Sequence, residues 1–246
     1  MRGKPPEVDP VEDLLESVYA KAEDDPDAAL ALLDAADPEL AGVPEVLACR
    51  GELVWTIQGP EAAQTFFEQA VAADPEFADA RYELAEIHGL LGEEEEMIAQ
   101  FLEVYRLDAI ADRRERVGTP SQQRFIAEVA EEVLASIPDE FRSRLEAVPV
   151  VLEARPSKAL VETGFDPRAL GVFDGDIDYV QRTRGTESVP TVIVPAPTRI
   201  VLFYANLLTS FPDEEVLREE IETTILHEIG HFFGLDEDDM ERLGLE

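Results

Sequence analysis

Cysteine occurs once and histidine three times in 246 residues, and those two scarcities narrow the chemistry before any pattern is sought. A single cysteine, Cys49, permits no internal disulfide, which fits a reducing cytoplasm. No histidine stands near it in sequence, so it reads as a small buried residue rather than a nucleophile. Cations are scarce too: 20 Lys and Arg stand against 55 Asp and Glu, a formal net charge of −35. That balance argues against phosphate-backbone binding, which needs clustered basic side chains, and against anionic membrane surfaces. Neither nucleic acid nor membrane is expected as a partner. No apolar run approaches a membrane-spanning length, and the opening MRGKPPEVDP has no apolar h-region of a secretory signal. The expectation is an acidic cytoplasmic protein whose 45% hydrophobic content can build one or two cores.

Against this background two of the three histidines fall in one register. The stretch HEIGHFFG, His227 to Gly234, reads His-Glu-x-x-His, a pattern in which two imidazoles hold zinc and the glutamate serves as base. At about 100° per residue, His227 and His231 lie one turn apart on one side of a helix, with Glu228 on the flank. Ser210 or Thr209 can cap that helix and Pro212 suits its first turn, while Asp213, Glu214 and Glu215 sit where the dipole favours anions. Leu217, Ile221, Ile225 and Ile229 form an apolar stripe roughly opposite His227. Gly234 lets the helix stop.

A catalytic zinc needs a third protein ligand and an open position. The remaining histidine, His88, lies in a distant helical region where a packed or surface role is the simpler reading, so the third ligand is expected to be an acid. In the longer pattern H-E-x-x-H-x-x-G-x-x-H, Gly234 stands in its place and Glu237 occupies the slot of the last histidine. Glu237 is the first candidate and Asp238 the second, followed by Asp236, Asp239 and Glu241.

From about Val11 to Asp108 the chain is helical and repeats with a period of 34 residues. Ala29, Ala63 and Met97 align, as do Leu33, Phe67 and Phe101, and Ala36, Ala70 and Val104. Gly51 and Ala85 match the small position of a first helix, and Pro75 the closing proline. Three helical hairpins are expected, stacked because none buries its face alone; Trp55 and Phe66 read as core. The stretch resembles the tetratricopeptide family, whose members bind peptides or proteins along a concave groove. The resemblance implies a protein partner on the repeats; a solenoid that only packs is the plainer alternative.

Asp108 to Gly118 is read as a boundary. Beyond it, Thr119-Pro120-Ser121-Gln122 has the letters of a capping box with proline at the first helical position. The helix that follows should turn Phe125, Val129 and Val133 inward and stop near Ile137-Pro138. A short helix from Asp139 to Leu145 then leads to a strand at Val150 to Ala154. Asp174 to Thr198 reads as loop with one β-rich piece, Thr191 to Val194. The apolar run RIVLFYANLL, Arg199 to Leu208, reads as a central or cleft-lining strand.

Residues Gln122 to Glu246 resemble the minimal zincin family of small zincin-like metallopeptidases. The segments that carry the resemblance are PDEFRSRLEAVPVVLEARPS, GVFDG, RIVLFYANLL and TTILHEIGHFFGLDEDDMERLG. Its members look like H-E-x-x-H-x-x-G-x-x-D, which implies His227 and His231 as ligands, Glu228 as base and Zn2+ as cofactor. The third-ligand slot falls on Glu237, a departure from the family's Asp. The fold expected is α+β and helix-rich: tetratricopeptide-like repeats over 1–110, then a small zincin-like domain over 119–246. The function expected is zinc-dependent peptide hydrolysis with a peptide or protein substrate, the peptide pairing along Arg199 to Leu208; Tyr204 and Tyr179 are candidates to face the oxyanion, with packing the plainer reading of each. The alternative from another class is a non-catalytic protein-binding adaptor with a structural or degenerate zincin domain; a hydrolase of small amides is a further one.

Overall fold

The computed structural model describes residues 9–139, 142, 145, 148–174, 199–233, 235 and 242. Six helices open the chain: α1 (Pro10–Ala22), α2 (Pro26–Ala35), α3 (Pro44–Gln58), α4 (Pro60–Ala73), α5 (Ala78–Leu91) and α6 (Glu94–Glu115). The first helices of the pairs start at residues 10, 44 and 78 and the second at 26, 60 and 94, so both series advance by 34 residues. Proline sits at the first position of α1 through α4, where its missing N–H costs nothing. Asp9 and Asp25 cap α1 and α2 by accepting from the Val11 and Ala28 amides.

The aligned positions of the repeat are where the hairpins close. Ala29, Ala63, Leu33, Phe67, Phe101, Ala70, Val104 and Ala85 are all buried, while Trp55 and Phe66 pack at the margin of the central cluster. Gly51 shows why its position must be small: a Cβ there would stand 2.8 Å from the ring of Phe67, itself fully buried. Gly51→Val should therefore destabilise the helical unit by about 1–3 kcal/mol through overpacking, read as a lower midpoint in a thermal or urea melt. An unchanged midpoint would mean the hairpins are not packed as described. Cys49 is fully buried, and burial, then the nearby Glu52 carboxylate, pushes its thiol up to about 11. It is no nucleophile at neutral pH.

The remaining elements are α7 (Pro120–Ser136), β1 (Val150–Glu153), α8 (Lys158–Val161), β2 (Gly171–Asp174), β3 (Arg199–Phe203), α9 (Tyr204–Ser210) and α10 (Glu214–Phe233). The capping box at Thr119 and Gln122 is formed in both directions. Val129 and Val133 of α7 are buried as expected, with Ile126 beside them, and Phe125 packs at the edge of the same core. The sheet has the order β1-β3-β2, β1 parallel and β2 antiparallel to β3. Ile200 and Leu202 of β3 meet Leu217, Ile221, Ile225 and Ile229 of α10 in one cluster, so the apolar stripe read from the sequence is the face turned to the sheet.

Two expectations need correction. The run Arg199 to Leu208 is not one strand: β3 ends at Phe203 and α9 begins at Tyr204. A short apolar run fits a buried strand and a buried helix equally, and periodicity cannot divide it. The cap of α10 is neither Ser210 nor Thr209 but Asp213, whose carboxylate accepts from the Glu215 and Val216 amides. Thr209 spends its hydroxyl on the Ala205 carbonyl inside α9. The expected strand at 191–194 and the loop at 175–198 lie outside the described residues, as does most of the short helix at 139–145.

By its contacts the chain forms two units, residues 1–109 with 158–165 and residues 110–157 with 166–246. α6 runs through the boundary stretch, and the division falls within it. Among the described residues no helix is long and apolar enough to cross a membrane.

Candidate metal centre

α10 presents its sequence motif on two neighbouring faces. Thr224, Glu228 and Phe232 recur every four residues and so share one side of the helix. That side is turned to β2. Gly171 lies so close that a Cβ on it would meet Thr224 Cγ2 at 2.7 Å, and Phe232 meets Phe173 edge to face, with ring centroids 5.7 Å apart. Glu228 sits between these two contacts and is 7% exposed.

The adjacent face carries the imidazoles, both half-buried. Nε2 of His231 lies 3.0 Å from Nε2 of His227, and the ring planes are nearly perpendicular. The Nδ1 of His231 faces the Leu235 carbonyl at 3.3 Å. An Nδ1–H donating there leaves the Nε2 lone pair of His231 directed at the other ring, the tautomer a metal-ligating histidine needs. Leu235 N donates in turn to the Gly230 carbonyl, which holds Leu235 against the last turn of the helix.

These residues fit a zinc ion. Two nitrogens at about 2.0–2.1 Å from a tetrahedral centre stand about 3.3–3.4 Å apart, a few tenths from the 3.0 Å seen. Two half-buried ring nitrogens this close, from successive turns of one helix, are near the separation that a cation held by both would set. Among the described residues no third Cys, His, Asp or Glu completes a group of three around them. Glu237, the expected third ligand, lies outside the described residues, together with Asp236, Asp238, Asp239, Glu241 and Gly234.

Other candidate residues are used elsewhere. His88 is buried at the end of α5, its Nδ1 2.6 Å from the Glu93 carboxylate. Tyr204 packs its ring over Gly118, which has φ +80° and no room for a Cβ beneath that ring. Tyr179 lies outside the described residues. Pairing of a peptide along Arg199 to Leu208 is also ruled out: β3 has β1 on one side and β2 on the other, so its backbone groups are taken. Among the described residues the free edges belong to β1 and β2, and β2 is the one against the motif helix. The residue missed in the sequence was Gly171. A glycine opening a strand is a signal for close backbone approach, but the sequence does not say to what.

No curated protein matches the chain. Among solved structures, a crystal structure of MamA aligns over 39% of this chain at 22% identity and a TM-score of 0.34. The aligned part is 57% of the MamA chain, less than two thirds of it. Residues 145–245, which run from ahead of β1 past α10 and hold His227, Glu228 and His231, match the family model of zincin-like metallopeptidases.

Proposed function

We propose that this protein is a zinc-dependent metallopeptidase. His227 and His231 hold the metal, Glu237 supplies the third ligand, and Glu228 is the general base. The observation that carries the reading is the convergence of two Nε2 atoms at 3.0 Å beside a buried carboxylate on the same helix. Zinc bound there supplies a Lewis acid for the scissile carbonyl and acidifies water. Glu228 takes a proton from the attacking water and returns it to the leaving amine. Its burial limits the bulk water that competes for its proton. A substrate peptide in extended form adds by backbone pairing to the edge of β2 that is unpaired among the described residues, which brings its main chain past Glu228. The helical unit offers a surface for a protein partner, the role its hairpins support.

The test is cleavage of unstructured peptides by the full chain loaded with one equivalent of zinc. Cleavage should vanish on chelation and return with zinc. Zinc-loaded protein that cuts nothing, or cleavage indifferent to chelation, would leave the adaptor reading in its place.

A further inference from the structure

The contacts of α10 go round the helix in the order in which the strands lie in the sheet. Ile225 and Ile229 pack in one cluster with Ile200 and Leu202 of β3. Thr224 and Phe232 face β2 through Gly171 and Phe173. At about 100° per residue, the next face beyond Thr224 and Glu228 is that of His227 and His231. It therefore lies on the side of β2 that is unpaired among the described residues.

The backbone of β2 suits a further strand on that side. Phe203 N donates to the Leu170 carbonyl beside the antiparallel pair. By the alternation of such a pair, Val172 and Asp174 also direct their backbone groups at β3, and Gly171 and Phe173 direct theirs the other way. Side chains alternate across the sheet as well. Gly171 and Phe173 face α10. Val172 and Asp174 face away from it, and the Asp174 carboxylate accepts from Arg199 Nε at 2.8 Å.

On the α10 side, then, β2 offers no charge, only the ring of Phe173. That ring stands edge to face with Phe232, and Phe232 with Phe233, the centroids 5.7 and 5.0 Å apart. All three rings are only partly buried. Phe232 follows His231 directly and comes one turn after Glu228, so the aromatic group borders the metal centre.

We propose that Phe173 and Phe232 form a subsite that selects peptides with an aromatic or large aliphatic side chain beside the scissile bond. This rests on the peptidase reading of α10. A peptide residue paired level with Phe173 turns its side chain to the same face, whichever way the peptide runs. Glu228 lies between the Gly171 and Phe173 contacts, so that residue adjoins the bond under attack. A large apolar side chain there takes ring surface out of water. A small one leaves the rings wet, and a charged one loses hydration with no partner on that face of β2.

The test uses the full chain and peptides alike except at one central residue: phenylalanine, leucine, alanine or aspartate. Zinc-loaded wild type should favour phenylalanine and leucine over alanine by about tenfold or more in kcat/KM, the span a hydrophobic pocket gives. Phe173→Ala should erase most of that preference. Binding of the same peptides, labelled with fluorescein, is read by anisotropy on the full chain carrying Glu228→Gln, with and without zinc. Kd should follow the same order, and adding Phe173→Ala should flatten it. Should the alanine variant fail to fold, Phe173→Leu decides: the ratio of phenylalanine to leucine should fall by about threefold or more. An unchanged ratio overturns the subsite. So do cleavage or binding indifferent to the central residue, a preference that survives Phe173→Ala, and failure to bind any peptide. A binding preference without cleavage of any peptide overturns the peptidase reading alone and leaves the subsite standing.

Discussion

Glu228→Gln is expected to lower kcat/KM for peptide cleavage by about 10²–10⁴-fold, the span ordinarily contributed by a positioned general base. The substitution keeps the shape of the side chain and removes only its capacity to take a proton. Its neighbours Thr224 and Phe232 hold the same helix face against β2, so the amide occupies the position of the carboxylate. His227 and His231 project from the adjacent face and are untouched, and zinc content should stay at that of the wild type. The two readouts must separate: activity falls while metal remains. If the variant cleaves at the wild-type rate, Glu228 is not the base; if zinc is lost with activity, its role is in holding the metal.

Gly171→Val is the second large effect, and it lies outside the motif. The 2.7 Å from a Cβ at Gly171 to Thr224 Cγ2 is closer than real Cβ contacts come, and the Val201 carbonyl stands at 3.1 Å on the other side. Thr224 is buried and β-branched, so it has little rotamer freedom with which to yield. The strand or the helix must move. Overpacking of this kind costs about 1–3 kcal/mol, a fall of several degrees in the melting midpoint. Activity should fall further than stability does, because a misplacement of about 1 Å at a catalytic group can cost about 10²-fold. Gly171→Ala should show a smaller version of both. A valine variant with wild-type kcat would show that β2 does not position Glu228.

Period and spacing in the chain encode the structure where the signal is local. The 34-residue advance of helix starts and the burial of Phe67 under Gly51 follow from a repeat visible in the letters alone. The stripe from Leu217 to Ile229 and the one-turn offset of His227 and His231 follow from helical geometry. What escaped depends on partners far away in sequence. The turn from β3 into α9 at Tyr204 comes inside an uninterrupted apolar run, with no side-chain cap to mark it. The closeness of Gly171 to Thr224 and the insertion of Val161 between Ala85 and Phe101 are encounters between distant segments. No periodicity within either segment encodes them.

Metal content tests the central claim most directly. Purified wild-type chain and His231→Ala, each dialysed against trace zinc, should be compared by elemental analysis per mole of folded protein. Two imidazoles converging from successive turns predict about one zinc per wild-type chain and little or none in the variant. Equal zinc in both proteins, or none in either, would contradict the account.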